Sequence, residues 1–184
     1  MDAAVVYESM FGNTREVAEA IAAGIRESDP SARVTVARAG TAKLADVGEA
    51  CLLVVGGPTH ILRMSSPRTR KQGLESTRKA TGHPHRDAEP GAAGPGVREW
   101  LKALPPAPFG SRAAAFDTRL GSRMAGGAAR SVARQLHKHG YQLAAKAEGF
   151  IVTGSEGPLG DGELDRARDW GAALARQADV PARA

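Results

Sequence analysis

The sequence predicts an α/β protein built on a doubly wound sheet of five parallel strands in the order 2-1-3-4-5. Short apolar runs alternate along the 184 residues with segments of helical periodicity, as in parallel sheets with helical crossovers. The strongest runs are continuously apolar, which indicates strands that are buried on both faces. Since crossovers between parallel strands are right-handed, few strand orders remain, and 2-1-3-4-5 is the order we expect for five strands.

The element boundaries follow from the same patterns. The predicted strands are residues 3–7, 33–37, 51–57, 112–116 and 150–153. The predicted helices are residues 14–27, 42–47, 97–104, 126–138 and 161–177. In the first helix, Val17, Ile21 and Ile25 recur at four-residue spacing and are expected to face the sheet. The pair Asp29-Pro30 ends that helix.

The chain is long enough for one domain with its own core, which we place at residues 1–178, followed by a frayed tail at 179–184. A basic, Gly/Pro-rich insertion interrupts the pattern at about residues 64–95. It is too long for an ordinary connection, which predicts a functional lid or a partly disordered insertion. Between Arg63 and Pro95, seven basic and three acidic residues account for most of the net charge of +5. The segment has no aromatic side chain to stack on bases, so an anion-facing or solvated loop is favoured over nucleic-acid binding.

Several classes of protein are disfavoured. No apolar run approaches the roughly 20 residues of a membrane helix. The acidic N-terminus leads directly into a strand, so we expect no signal peptide. The single cysteine, Cys51, fits a reducing cytoplasm and is expected to be buried. His83 and His85, with Asp87, give too weak a pattern to predict a metal site, and no motif of a catalytic nucleophile is recognised.

Polar and glycine residues follow the first, third and fourth predicted strands. The three loops comprise Ser9, Met10, Phe11, Gly12, Asn13 and Thr14; Pro58, Thr59, His60, Ile61, Leu62 and Arg63; and Asp117, Thr118, Arg119 and Leu120. In an open parallel sheet, ligands bind outside the carboxyl ends of the strands, where the winding changes direction. The three loops would share that edge, so the sequence predicts one ligand site formed by all of them.

Two interpretations of the first loop compete. The free N–H groups and partial positive charge of a helix N-terminus attract phosphate, and Gly12 would let the backbone approach the anion closely. Ser9, Asn13 and Thr14 would add side-chain donors. Alternatively, Asn13 or Thr14 is an ordinary helix cap. The loop matches neither the Gly-Lys-Ser/Thr of a P-loop nor the G-x-G-x-x-G of dinucleotide-binding folds.

Four stretches of the chain carry a family resemblance. They are Tyr7-Glu8-Ser9-Met10-Phe11-Gly12-Asn13-Thr14, Gly56-Gly57-Pro58-Thr59-His60, Phe116-Asp117-Thr118-Arg119, and Thr153-Gly154-Ser155-Glu156-Gly157-Pro158-Leu159. In this order they resemble the phosphate loop, the second and third flavin loops and the last strand end of the flavodoxin family, in a form common in high-GC bacteria. The resemblance covers nearly the whole chain outside about residues 68–95 and implies a flavodoxin-like, three-layer fold.

The resemblance implies that the ligand is flavin mononucleotide (FMN). The phosphate would be held by the side chains of Ser9, Asn13 and Thr14 and by the backbone N–H groups of Met10, Phe11 and Gly12. Residues 58–63 would border the isoalloxazine ring, with Thr59 near the ribityl chain. Residues 117–120 would meet the pyrimidine edge, where Arg119 would stabilise the anionic reduced flavin.

The sequence departs from the flavodoxin pattern in three places. Phe11 stands where better-known flavodoxins have a hydroxyl residue, so more of the phosphate binding would fall to the backbone. Neither tryptophan lies in a loop, so His60 or Leu62 would cover the flavin ring. Leu62 or Arg63 stands where related loops have a glycine beside flavin N5, which makes the one-electron chemistry of a low-potential carrier a weaker expectation than flavin binding.

Three functions remain open on the sequence. The first is an FMN-binding redox protein that carries electrons between partner proteins. The second is an NAD(P)H-dependent flavin or quinone reductase, for which the basic segment would hold the phosphates of the nicotinamide cofactor. The third is a binding module that keeps the scaffold without a flavin. The basic charge predicts an acidic redox partner or an anionic small acceptor, rather than nucleic acid or a membrane.

Overall fold

The computed structural model describes residues 1–47, 49–60, 62–79, 86–121 and 127–178. The strands in these ranges are β1 (Asp2–Tyr7), β2 (Arg33–Arg38), β3 (Leu52–His60), β4 (Arg63–Met64), β5 (Arg112–Leu120), β6 (Gln142–Leu143) and β7 (Glu148–Val152). The helices are α1 (Asn13–Ser28), α2 (Leu44–Val47), α3 (Pro67–Lys79), α4 (Val97–Ala103), α5 (Ala128–Lys138) and α6 (Glu163–Ala178). The predicted frayed tail, residues 179–184, lies outside the described residues.

The strands form one sheet with β1 and β3 at its centre. The order is β2-β1-β3-β5-β6, and all of these neighbours are parallel. β7 also pairs with β5 in parallel, while β4 pairs with β3 in antiparallel. The prediction of a doubly wound parallel sheet is confirmed.

The predicted count of five strands was wrong, because the sheet has seven strands among the described residues alone. One added strand, β4, is the short return of a hairpin that extends β3. The other arises because the last predicted strand is interrupted. Between the pairs Ala113↔Leu143 and Phe116↔Glu148, β5 advances by three residues and its partner chain by five, so two extra residues leave the ladder as in a bulge. The hydrophobic periodicity of the sequence does not reveal such an interruption.

Helices cover both faces of the sheet. α1 and α6 pack over the face that carries Val5 and Val54. α2, α4 and α5 pack over the face that carries Val6 and Val55. Since successive residues of a strand point to opposite faces, the continuous apolar runs of β1 and β3 supply both cores at once.

Helices α1 and α6 approach each other at two glycines. A Cβ on Gly24 would lie 1.9 Å from the carbonyl oxygen of Arg168, and a Cβ on Gly171 would lie 2.2 Å from that of Ile21. The two backbones are therefore in direct contact, and no larger residue fits at either position without a shift of the helices.

The insertion at about residues 64–95 contains helix α3, which periodicity did not predict. The described α3 side chains up to residue 77 are mostly polar or charged, and Leu74 is only half-buried. A helix without an apolar stripe gives no helical signal in the hydrophobic pattern. The insertion is thus partly helical rather than a plain loop.

Two further expectations concern exposure. Cys51 is exposed rather than buried, because it lies just before the first residue of β3. Across the described parts of the chain, no helix is both long enough and apolar enough to span a bilayer.

Candidate functional site

The three predicted loops line one cavity at the carboxyl ends of β1, β3 and β5. Its volume is about 480 Å³, which lies within the range of small-molecule sites. The predicted residues that line it are Ser9, Met10, Phe11, Asn13, Thr14, Pro58, Thr59, His60, Thr118, Arg119 and Leu120. The sheet topology brings these residues together because β1, β3 and β5 are neighbouring parallel strands.

Four predicted residues do not line the cavity. Gly12 lies on the outer side of its loop, and the Asp117 side chain is turned towards α5. Leu62 and Arg63 lie at the exposed end of the β3–β4 hairpin. The one remaining predicted residue, Ile61, lies outside the described residues.

The first loop delivers the N-terminus of α1 to the cavity. Gly12 is the residue that caps α1, and its φ of 92° is a left-handed conformation that favours glycine. The Gly12 N–H donates to Ser9 Oγ at 3.0 Å, which fixes the turn. The first N–H groups of a helix have no partner within the helix, so those of α1 are available to an acceptor at the cavity wall.

The side chains expected to bind phosphate are engaged within the chain. Asn13 Nδ2 donates to the carbonyl oxygen of Glu156 at 2.9 Å. Thr14 Oγ1 and Thr118 Oγ1 form a buried hydrogen bond of 2.8 Å that joins the first loop to the third. One hydrogen bond uses one of the two hydroxyl protons, so the other proton stays available at the cavity wall.

Arg86 places a cation on the outer side of the first loop. Its Nη1 donates to the carbonyl oxygen of Phe11 at 3.2 Å and to Asn13 Oδ1 at 3.0 Å. The same nitrogen lies 3.3 Å from Glu16 Oε1. The sequence did not single out Arg86, because the residue is distant along the chain and has no motif of its own.

Glu89 ties the same segment to the loop. Its N–H donates to the carbonyl oxygen of Met10 at 2.8 Å. Its carboxylate accepts hydrogen bonds from Arg15 Nε at 2.6 Å and from Arg38 Nη2 at 2.7 Å. Burial acts to raise the pKa of Glu89, but the hydrogen bonds from Arg15 and Ser9 outweigh it, so the pKa is lowered. The carboxylate therefore stays ionised and holds the loop between two arginines.

The second loop is the β3–β4 hairpin. Its Thr59 Oγ1 accepts a hydrogen bond from the N–H of Ala128 at 2.9 Å. The half-buried imidazole of His60 lines the cavity, and burial lowers its pKa, so it is neutral at pH 7. Leu62 has a φ of 68°, a conformation that side chains with a Cβ rarely adopt.

Asp117, which was predicted in the third loop but lies within β5, supports α5 rather than the cavity. Its fully buried carboxylate accepts a hydrogen bond at Oδ2 from the N–H of Ala129, in the first turn of α5, at 2.8 Å. Burial raises the pKa of this carboxyl, and the hydrogen bond from Ala129 opposes the shift. Oδ1 has no hydrogen-bond partner among the described residues and lies 3.6 Å from Arg119 Nε.

The Arg119 guanidinium occupies a slot between two glycines. A Cβ on Gly149 would lie 2.1 Å from Arg119 Nη2, and a Cβ on Gly127 would lie 2.6 Å from Arg119 Nη1. The missing side chains make room for the flat guanidinium beside Asp117. The predicted cation of the third loop is therefore held at the cavity wall by packing and charge together.

Helix α3 supplies a wall that the sequence interpretation missed. The cavity-facing residues are Thr69, Gln72, Gly73, Ser76 and Thr77. Their spacing follows the turns of a helix, so they form one polar stripe. At Gly73 the helix comes close to the first two loops, since a Cβ there would lie 3.1 Å from Met10 Cε and 3.8 Å from His60 Cε1. Periodicity of small polar residues, rather than apolar ones, is the signal that would have found this wall.

Within the described ranges, no three His, Cys, Asp or Glu side chains cluster as metal ligands would. His83 and His85, which the sequence weighed as ligands, lie outside those ranges.

Comparison with known proteins shows the fold. No protein-family model and no curated protein matches the chain. A flavodoxin from the domain Archaea is similar in structure, with a TM-score of 0.64, 22% identity, and coverage of 98% of this chain and 100% of that one. Oxidised flavodoxin 1 from Bacillus cereus gives a TM-score of 0.63 at 16% identity, covering 96% of this chain and 98% of that one.

A flavodoxin described as a WrbA-like protein, from Agrobacterium tumefaciens, gives a TM-score of 0.59 at 18% identity, with 96% of each chain covered. At such identities the likeness shows the fold alone. The resemblance read from the sequence is thus confirmed at the level of a flavodoxin-like fold, and its extension to flavodoxins of high-GC bacteria stays a prediction.

Proposed function

We propose that this chain binds FMN in the cavity and carries electrons between partner proteins. The convergence of three separate loops on one cavity, with the N-terminus of α1 at its wall, carries this proposal. Such a helix end is a general site for phosphate. FMN joins a phosphate to a flat, largely apolar ring, and the lining of the cavity includes both polar and apolar side chains.

The part of the cavity beside α1 fits a phosphate. Arg15 and Arg86 lie on the outer side of the loop and are ion-paired with Glu89 and Glu16, so the phosphate would depend on the N–H groups of α1 rather than on these cations. The free proton of the Thr14–Thr118 pair is a further donor at the wall. Phe11 contributes no hydroxyl, which agrees with a site that relies on backbone donors.

The less polar part of the lining suits a ring without aromatic stacking. It includes Met10, Pro58, His60 and Leu120, and the neutral imidazole of His60 loses little hydration when a ring covers it. Bound FMN would supply reversible electron transfer. The residues of this chain would orient it, exclude water and, through Arg119, place a positive charge near the reduced form.

Titration of the purified protein with FMN and with riboflavin tests the proposal. Flavin fluorescence should be quenched, with at least tenfold tighter binding of FMN because only FMN carries the phosphate. The double variant Thr14→Val/Thr118→Val removes both hydroxyls and with them the available proton. It should weaken FMN binding by about tenfold, which is the scale of one hydrogen bond to a charged group, and should leave riboflavin binding unchanged. Thr35→Val, on the exposed edge strand β2, is the matched control.

Unquenched fluorescence with a colourless protein would contradict FMN binding and support the flavin-free binding module instead. Equal affinity for FMN and riboflavin would contradict the placement of the phosphate at α1.

The polar wall of α3 favours a second candidate, the NAD(P)H-dependent reductase. Gln72, Ser76 and Thr77 add polar groups on the α3 wall of the cavity, where a second small ligand would lie beside the flavin. Anaerobic mixing of the FMN-loaded protein with NADPH distinguishes the candidates. Bleaching of the flavin within seconds supports the reductase, whereas bleaching only after a separate reductase is added supports the carrier.

The partner we propose for the carrier is acidic. Arg63, Arg68 and Lys71 are exposed on the hairpin and α3, beside the cavity. Arg63 and Arg68 form no ion pair with any residue that the structure describes, and Lys71 lies 3.9 Å from Glu75. We call these three residues the basic surface. An acidic protein or an anionic acceptor would be attracted to it.

A further inference from the structure

Helix α3 forms a wall of the cavity, yet none of its described side chains is both apolar and buried. Of its side chains from residue 67 to residue 77, Arg70 is the only buried one, with 1% of its surface exposed. Most surface helices are held by an apolar stripe that faces the core. The attachment of α3 depends instead on the contacts of one charged residue.

Arg70 lies in a cluster of charged and polar groups. Its Nη2 donates to Glu99 Oε2 at 2.9 Å, and its Nη1 donates to Ser65 Oγ at 2.9 Å. The Ser65 hydroxyl in turn donates to the buried carboxylate of Glu8, whose Oε1 lies 3.8 Å from Arg70 Nη1. The buried Nε of Arg70 has no hydrogen-bond partner among the described residues. We call Arg70, Glu8, Ser65 and Glu99 the α3 latch.

The α3 latch joins α3 to the first loop and to α4. Glu8 immediately precedes Ser9, the first residue of the loop, and its Oε2 accepts a hydrogen bond from the N–H of Val97 at 2.9 Å. Gly96 leaves the space that the cluster needs, since a Cβ there would lie 2.1 Å from Glu8 Oε2 and 2.7 Å from Arg70 Nη1. The cluster is therefore built into the fold and is not a chance surface contact.

We propose that the α3 latch positions α3 on the cavity, and that opening at this latch admits and releases the ligand. Separating apolar side chains exposes them to water, whereas separated charges regain hydration, so an ionic attachment opens more readily than an apolar one. The two apolar cores contain none of the α3 side chains that the structure describes, so α3 can move away while the sheet stays folded. Arg70 is thus a positioning residue for the cavity.

Amide hydrogen exchange of the protein without flavin tests the latch. The double variant Glu8→Gln/Arg70→Met removes both buried charges and so leaves neither one unpaired. Exchange in α3 should accelerate at least tenfold, while exchange in β1, β3 and β5 stays unchanged. Glu75→Gln, on the exposed face of the same helix, is the matched control and should change nothing. Glu99→Gln, at a partly exposed partner, should give a smaller acceleration confined to α3, and it serves if the double variant fails to fold.

The rates of ligand binding and release test the latch in a way that simple destabilisation of the fold would not reproduce. This second experiment rests on the proposed function, because FMN is the ligand used. Stopped-flow quenching should show that both association and dissociation of FMN accelerate at least threefold in the variants. The proposal would be overturned if both latch variants exchanged in α3 at the rate of Glu75→Gln. It would also be overturned if protection from exchange were lost to the same extent in α3 and throughout the sheet. Failure of FMN to bind any form would contradict the proposed function and leave the exchange result as the measure of the latch.

Discussion

Leu62 shows how a single residue departs from the local rules of the backbone. Its φ of 68° costs a residue with a Cβ about 1–2 kcal/mol, and the side chain is 54% exposed, so little packing offsets the strain. Glycine avoids this cost but loses about 0.5–1 kcal/mol through the greater freedom of the unfolded chain. Leu62→Gly should therefore be about 0.5–1 kcal/mol more stable than Leu62→Ala in urea unfolding. Equal stabilities would contradict the left-handed conformation at this residue.

His60 gives the cavity wall a dependence on pH. Burial lowers its pKa in the folded protein below the unfolded value of about 6.5. The folded state therefore binds a proton less readily than the unfolded state, and stability that is present above about pH 6.5 is lost as the pH falls through the folded pKa. From pH 7 to pH 5, wild type should lose more unfolding free energy than His60→Gln. His137→Gln, at an exposed imidazole on α5, is the control and should follow wild type.

At the scale of the elements, the contact between α1 and α6 is the most demanding fit. A Cβ on Gly24 would lie 1.9 Å from a backbone oxygen of α6, which cannot rotate away as a side chain would. Overpacking of this kind costs about 1–3 kcal/mol or more, so Gly24→Ala should lower the unfolding free energy by at least that amount. Thermal unfolding of both variants measures the effect. Gly160→Ala, where the nearest atom to a Cβ is 3.6 Å away, should leave the unfolding free energy nearly unchanged. A neutral Gly24→Ala would contradict the close approach.

The elements that could be predicted are those that bury apolar side chains, because such burial requires a regular spacing of apolar residues in the sequence. β1, β3 and α1 were predicted because each buries apolar side chains at a regular spacing, and the structure contains all three. α3 and β4 were not predicted, because Arg70 is the buried anchor of α3 and β4 is only two residues long. A charged anchor and a hairpin return both depend on contacts between residues that are distant in the chain. The hydrophobic periodicity of a segment does not reveal such contacts.

At the scale of the molecule, the site was predictable as far as the sheet topology determines it. Residues that follow β1, β3 and β5 must meet at one edge, and eleven of the sixteen expected residues line the cavity there. Asp117 was expected at the ligand and instead supports α5, because an acidic residue at a strand end can face either the ligand or the next helix. Arg86 and the α3 wall come from the insertion, whose path the strand order does not fix.

Charge also acts at the scale of the whole molecule, and its effect on electron transfer can be measured. The chain carries a net charge of +5, and the basic surface of Arg63, Arg68 and Lys71 lies beside the cavity. The FMN-loaded, photoreduced protein should therefore reduce the anion ferricyanide fastest at low ionic strength. Raising the salt from 0.01 to 0.15 M shortens the screening length from about 30 to about 8 Å and should slow the reaction.

The double variant Arg63→Gln/Arg68→Gln separates this surface from net charge. It should slow ferricyanide reduction severalfold at low salt and flatten the salt dependence, because it removes two of the three cations of the basic surface. Arg33→Gln/Arg176→Gln removes the same charge from exposed positions at the amino-end edge of the sheet and should retain most of the wild-type rate. If both double variants slow the reaction equally, net charge rather than the basic surface attracts the acceptor. A wild-type rate that rises with salt would contradict attraction of any anion to this protein.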